Sequence, residues 1–446
     1  LKALIKFKKG DEYDNTKVDG AIDKITDAVG NLGFAFVEVR PRVNRNRKEK
    51  IVDITFDIRE GPRVFVERID ISGNVRTIDK VIRREFQIVE GDAFNAAKLR
   101  RSRQRIQNLD FFNKVNIQRL PGSTPDKTIV KVEIEEKSTG SLSFGVGFST
   151  DSGALLDLGL RESNLLGRGQ ALSFNGTLAA EKSTVNISFT EPYFLDRDIA
   201  AGFDLYHVNQ DLQDTRSYDF KKSGLGLRAG FQVAPFLRQN WRYKAEVSSI
   251  ENVASSASSL IQAQEGKRYL SEVGHSLTYD RRDSRIAPTE GYVLKMINDL
   301  AGFGGNIRYL KNQLRAGQYY EVTDKWVLGL NGRVGHILGL DQDVNIADRF
   351  FLGGTTLRGF KSAGAGPRDI STDDSLGGEW IYNGSLQLRF PLGLPAELGL
   401  SGRIFSDFGS LGQVNPSTSS IKDSGSIRAS AGAGIGFSTA KRFRRR

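Results

Sequence analysis

From Ser138 almost to its end, the chain alternates apolar and polar residues with a period of two. Leu142, Phe144, Val146 and Phe148 alternate with Ser141, Ser143, Gly145 and Gly147. Val185, Ile187 and Phe189 alternate with Asn186, Ser188 and Thr190, and Leu386, Leu388 and Phe390 flank Gln387 and Arg389. Successive side chains of a strand point to opposite faces, so the pattern predicts strands with one apolar face and one face of Gly, Ser, Asn, Gln and Arg. Fourteen strands are predicted, at 138–149, 154–163, 170–180, 183–193, 199–210, 218–233, 240–253, 269–281, 291–302, 306–322, 325–338, 379–391, 397–408 and 426–438. A soluble sandwich seldom keeps this alternation through so many strands. Strands of about ten residues joined by turns fit a membrane barrel with lipid outside and water inside. Aromatics near strand ends (Tyr193, Phe194, Tyr206, Trp241, Tyr319, Tyr320, Trp326 and Trp380) fit interfacial girdles.

No run approaches the roughly 20 apolar residues that a spanning helix needs. The mean hydropathy of −0.36 is no objection to a barrel, in which only alternate residues face lipid. Absent cysteines exclude a disulfide scaffold, and His207, His275 and His336 stand apart in separate predicted strands, so neither a metal nor a cofactor is expected. The net charge of +11 and the tail Arg442-Phe443-Arg444-Arg445-Arg446 raise a nucleic-acid reading. Elsewhere the basic residues are interspersed with acids and no nucleic-acid motif accompanies them, so contacts with the lipid bilayer and its anionic headgroups are expected instead. No Ser/His/Asp set, P-loop or carboxylate pair points to an enzyme. The chain opens on Leu1 and its single methionine is Met296, which predicts a fragment or processed product.

Ahead of the strands lies a repeat. Gly10-Asp11-Glu12-Tyr13 with Lys17-Val18 returns as Gly91-Asp92-Ala93-Phe94 with Lys98-Leu99. Each copy runs into a helix: Val18, Ile22, Ile25, Val29 and Leu32 form one apolar stripe, and Leu99, Ile106 and Leu109 a thinner one. Leu32-Gly33-Phe34 matches Leu109-Asp110-Phe111, and two alternating strands follow in both copies. The second copy opens with a strand through Phe65 and Ile69 to Ile71, and Thr77 is expected to cap a helix carrying Ile78, Val81, Ile82 and Phe86. The unit is α+β: strand, two helices, two strands. The first copy lacks its opening strand, so more copies are expected upstream. The predicted domains are 1–61, 62–137 and 138–446. The sheet edges of the two modules suit either addition of an extended chain or passive docking of partner subunits.

The connection 339–378 is too long for a hairpin and too apolar at its start for disorder. Here Arg349-Phe350-Phe351-Leu352-Gly353-Gly354-Thr355-Thr356-Leu357-Arg358-Gly359-Phe360 resembles the signature of the BamA-type outer-membrane assembly factors, whose sixth extracellular loop folds back into the barrel lumen. Glu162-x-Asn164-Leu165-Leu166-Gly167-Arg168-Gly169, Thr190-Glu191-Pro192-Tyr193-Phe194, Tyr279-Asp280-Arg281-Arg282-Asp283 and Phe405-Ser406-Asp407-Phe408-Gly409 resemble family segments in the same order. The repeats look like the last two POTRA modules. The resemblance implies a barrel of the sixteen-strand type whose last strands are absent or replaced here.

It implies further that Arg358 pairs with acidic residues on strands twelve and thirteen. By parity Arg403 and Asp407 share the polar face of strand thirteen, opposite Leu398, Leu400 and Ile404. Asp407 is therefore the expected acceptor, while Gln387 replaces the family's second acid. A charge-assisted pair contributes roughly 1.5–3 kcal/mol and would pin the loop. Arg358 is open to two roles, pinning and direct substrate handling. Gly353, Gly354 and Gly359 would let the backbone approach closely, and Leu357 and Phe360 complete the motif. The implied function is insertion of nascent outer-membrane proteins without ATP, through a lateral gate at the first strand (Leu142, Phe144, Gly145, Val146, Gly147, Phe148). Accessory periplasmic lipoproteins would dock on POTRA modules in the periplasm. The rival is a two-partner-type secretion pore exporting an exoprotein.

Overall fold

A computed structural model describes residues 1–5, 7–8, 10–11, 13–31, 37–46, 51–60, 64–149, 153–323, 325–395 and 398–437. The segment Leu32-Gly33-Phe34 and the tail 439–446 lie outside them. The chain forms two units, one of residues 1–141 with 162–170, the other of residues 142–161 with 171–446.

In the first unit, α1 (Asn15–Asn31) packs Ile25 and Val29 against Val39 of β1 (Val37–Asn46), which pairs antiparallel with β2 (Ile51–Glu60). The second module comprises β3 (Phe65–Ser72), α2 (Asp79–Arg83), α3 (Ala96–Asn108), β4 (Phe112–Pro121) and β5 (Lys127–Glu136). β5 lies between β3, parallel to it, and β4, antiparallel to it. Val81, Ile82, Ile88, Ile106, Val130 and Val132 form its core, the apolar stripes meeting as their spacing demands. Asn95 caps α3 by accepting from the Lys98 N–H (3.0 Å), and its amide donates to the Gly30 carbonyl at the end of α1 (2.6 Å).

Thr77 does not cap α2. Ile78 holds the N-cap position without a side-chain hydrogen bond and is largely exposed, and the helix ends before Phe86. The Thr77 N–H instead donates to Glu136 (2.7 Å), and its hydroxyl accepts from Asn164 (2.8 Å). Glu136 accepts from the N–H groups of both Arg76 and Thr77, in the turn that leads into the helix.

The second unit carries a fourteen-stranded antiparallel meander. Its strands are β6 (Gly140–Ser149), β7 (Gly153–Leu165), β8 (Gln170–Ala179), β9 (Lys182–Glu191), β10 (Ile199–Asp211), β11 (Asp219–Ala234), β12 (Leu237–Glu251), β13 (Gly266–Asp280), β14 (Gly291–Gly305), β15 (Tyr309–Thr323), β16 (Trp326–Gly339), β18 (Trp380–Pro391), β19 (Leu400–Gly412) and β21 (Arg428–Phe437). Short α4 (Gln213–Arg216) and α5 (Ser259–Gln262) sit in connections, and β17 (Arg368–Asp369) pairs with β20 (Ile421–Lys422). β6 and β21 are the outer members of the sheet order. Among the described residues no helix is long and apolar enough to cross a membrane.

All fourteen predicted strands are present. Leu398 precedes β19 rather than lying in it, because Gly399 turns the chain with φ +62°. Tyr206 lies within β10 and its hydroxyl donates to Glu246 of β12 (2.6 Å), so it belongs to the polar face and not to a girdle.

Candidate functional site: a docked loop and an edge strand

The two faces of the sheet differ in exposure. Leu386, Ile404 and Phe408 are exposed on one face, while Asp407, one residue away on β19, is buried on the other. The connection between β16 and β18 lies against that second, polar face. Its base is tied by a bridge between Phe350 and Gly378, and its neck by one between Leu352 and Ala365. Leu357 is fully buried and Phe360 packs beside it, in a cluster with Ile337, Phe350, Leu352, Ile381 and Leu411.

Arg358 occupies the centre. Its Nε and Nη2 donate to the two Asp407 oxygens (2.7 and 2.6 Å), and its own N–H also donates to Asp407 (3.1 Å). Nη1 donates to Gln387 Oε1 (2.8 Å) and Nη2 to Ser385 Oγ (2.9 Å). The guanidinium stacks 3.5 Å above the Phe405 ring. A planar fork, its carboxylate and an aromatic face are thus all matched, which a lysine could not do. The register supplies the partners: Ser385 stands opposite Asp407 and Gln387 opposite Phe405 across β18 and β19.

Gly353 has φ +139°, and a Cβ there would stand 2.0 Å from the Lys361 carbonyl oxygen, so no other residue fits. Gly359 has φ +90° and faces Ser430 of β21; Gly354 also has positive φ, and a Cβ there would meet Ser362 at an ordinary 3.7 Å. Further along, Asp369 accepts from Ser371 and Ser258 (2.6 and 2.7 Å), and these hydroxyls, Ser371 first, hold its carboxyl below the usual range.

Asp407 and Gln387 therefore both stand at Arg358. Ser385 and Phe405 were not foreseen; the signal available was parity, since they share faces with Gln387 and Asp407. At the other site, Leu142, Phe144, Val146 and Phe148 of β6 are 71–78% exposed, well above the 37–56% of Leu156, Leu158 and Leu160 on β7. Among the described residues β6 pairs on one side only, with β7. Gly145 and Gly147 lie on its opposite face, against Asp157 and Leu155.

A family model described as the Omp85 superfamily domain matches residues 164–445, well over half of the sequence. The chain belongs to the Omp85 superfamily. A second model, described as a surface antigen variable number repeat (POTRA), matches residues 1–61 and 64–137 of this Omp85 chain. The fold is accordingly two POTRA modules followed by an Omp85 barrel. Among curated relatives, the outer membrane protein assembly factor BamA of Neorickettsia risticii is 31% identical over 98% of this chain and 59% of its own length. The chain spans 51% to 59% of the length of three of the BamA relatives it matches. Two solved structures share the fold. BamA from Haemophilus ducreyi lacking POTRA domains 1–3 has a TM-score of 0.76 at 23% identity, covering 97% of this chain and 89% of its own. CdiB from Acinetobacter baumannii has a TM-score of 0.53 at 16% identity, covering 97% and 78%.

Proposed function

We propose that this chain is the barrel and adjoining POTRA part of an outer-membrane protein assembly factor, which folds and inserts nascent β-barrel proteins. Residues 138–446 cross the outer membrane, and the modules at 1–61 and 62–137 stand in the periplasm, where accessory lipoproteins dock. The loop 339–378 occupies the lumen and is pinned through Arg358 to Asp407 and Gln387. The observation that carries the reading is β6, which among the described residues is paired on one side only and whose apolar side chains are the most exposed of the sheet's first strands.

An unpaired edge in a membrane presents N–H and C=O groups with no water to satisfy them. A nascent strand that pairs with it completes both ladders at once, and its apolar side chains join the lipid-facing surface. Each such step runs downhill, so no ATP is required. The names of the curated relatives support this reading, and no catalytic role is proposed.

The rival is a pore that secretes a single exoprotein. Depletion of the full-length protein in its own bacterium separates them. Assembly predicts a broad fall of outer-membrane β-barrel proteins, whereas loss of one secreted protein with the others unchanged contradicts it.

A further inference from the structure

The connection between β16 and β18 is held at several places, and only one involves Arg358. Arg349 is 5% exposed and donates to three backbone carbonyls: Nε to Val344 (3.0 Å), Nη1 to Leu376 (3.2 Å) and Nη2 to Asn415 (2.6 Å). Those carbonyls belong to the start of the connection, its end, and the next connection, between β19 and β21. One rigid fork thus ties together three stretches of chain. Its neighbours reinforce the base. Asp348 pairs with Arg268 of β13 (3.4 Å), and its carbonyl accepts from Lys311 of β15 (2.7 Å). Phe350 exchanges backbone hydrogen bonds with Gly378 (2.8 and 2.9 Å).

Beyond this base the neck closes where the Ala365 N–H donates to the Leu352 carbonyl (3.1 Å). The tip, residues 353–364, carries Leu357, Arg358 and Phe360. Positive φ occurs at or just beyond both of its ends, at Gly353 and Gly354 and at Ala363 and Gly366, as well as at Gly359 within it. Backbone that turns this sharply on either side of a short segment is where a hinge absorbs rotation.

We propose that Arg349 is a positioning residue: it fixes the base of the connection, so that the tip swings as a hinged arm between a state docked on Asp407 and a released one. Release uncovers Asp407, Gln387, Ser385 and the Phe405 ring. The uncovered site borders the edge strand β21, since Gly359 packs on Ser430 and a Cβ at Gly432 would stand 2.6 Å from the Phe405 ring. The base stays seated while the polar side of the β19–β21 pair opens.

The chain has no cysteine, so single cysteines report burial without a background. Leu357→Cys reads the tip and Val344→Cys the base, by maleimide labelling of the full chain in phospholipid vesicles. Arg358→Ala is expected to speed labelling at 357 about ten-fold and leave 344 within about two-fold, as for a local opening. Arg349→Lys keeps the charge and loses the fork. It is expected to speed labelling at both positions and to leave Arg358→Ala with no further effect at 357. Equal acceleration of tip and base by Arg358→Ala overturns the hinge, as does a full added effect of Arg358→Ala in the Arg349→Lys chain. Heat-modifiable gel mobility checks that each variant is folded; should Arg349→Lys not fold, the Arg358→Ala comparison alone decides. Labelling reads the loop and not assembly, so the hinge and the assembly reading fail separately.

Discussion

Arg358 stands on a carboxylate whose side chain is only 4% exposed, while its own side chain is 26% exposed. Removing the acid strands a cation that water only partly reaches. Asp407→Ala is therefore expected to cost about 2–3 kcal/mol, below the 3–5 typical of a fully buried pair. Arg358→Lys keeps the charge but loses the fork and the stack on Phe405, and is expected to cost about 1–2 kcal/mol. Urea unfolding in lipid, followed by gel mobility, measures both, and unchanged midpoints would contradict a pinning role. Asp407 was legible because the motif supplied the cation and strand parity the face, and Gln387 because the family resemblance placed a second acceptor at its position. Ser385 and Phe405 were not, since a hydroxyl and a ring carry no charge to mark them as partners of a guanidinium. Thr77 failed for the opposite reason. Its type and place suit a cap, but Glu136 holds its N–H and Asn164 its hydroxyl, and Ile78 takes the N-cap position. That acid gives a pH prediction. Burial pushes the Glu136 carboxyl up, but the Thr77 and Arg76 donors outweigh it and hold it below its ordinary value of 4.5. A depressed carboxylate stabilises the fold above its unfolded pKa, and the contribution is lost as pH falls through the folded one. Glu136→Gln should thus lower the melting temperature of the full chain at neutral pH, with the gap closing below about pH 4. A gap that persists in acid would count against the Glu136 contacts.

The strands were the most legible elements, because one residue of slip would turn the whole apolar set to the wrong face. Their ends were less so. β19 runs on to Gly412 through Ser410, where the ladder continues but the alternation has stopped. The same limit shortened α2, whose tertiary contacts override the apolar spacing that suggested a longer helix. The face assignment has a direct check at the element scale. Phe144→Arg on β6 places a cation on the face read as lipid-contacting and should cost up to about 2–4 kcal/mol of folding free energy in vesicles, depending on depth. A cost near zero would mean that this face of β6 meets water.

At the scale of the molecule, period-two alternation and a repeated α+β module were enough to read a barrel with modules ahead of it. The long connection's path was not readable that way, because its docking depends on contacts with β13, β15, β18 and β19 that no local pattern encodes. What joins these parts is the edge of β6: a strand paired on one side among the described residues, backed by two glycines, in a sheet whose outer face is apolar. The most direct test uses the absence of native cysteines. Single cysteines at positions 143 to 147 of β6 are oxidised against single cysteines in the terminal strand of a stalled outer-membrane substrate. Strand addition predicts disulfides at one register, strong at every second position and weak between. Substrates that assemble at the normal rate with no disulfide at any β6 position would contradict it.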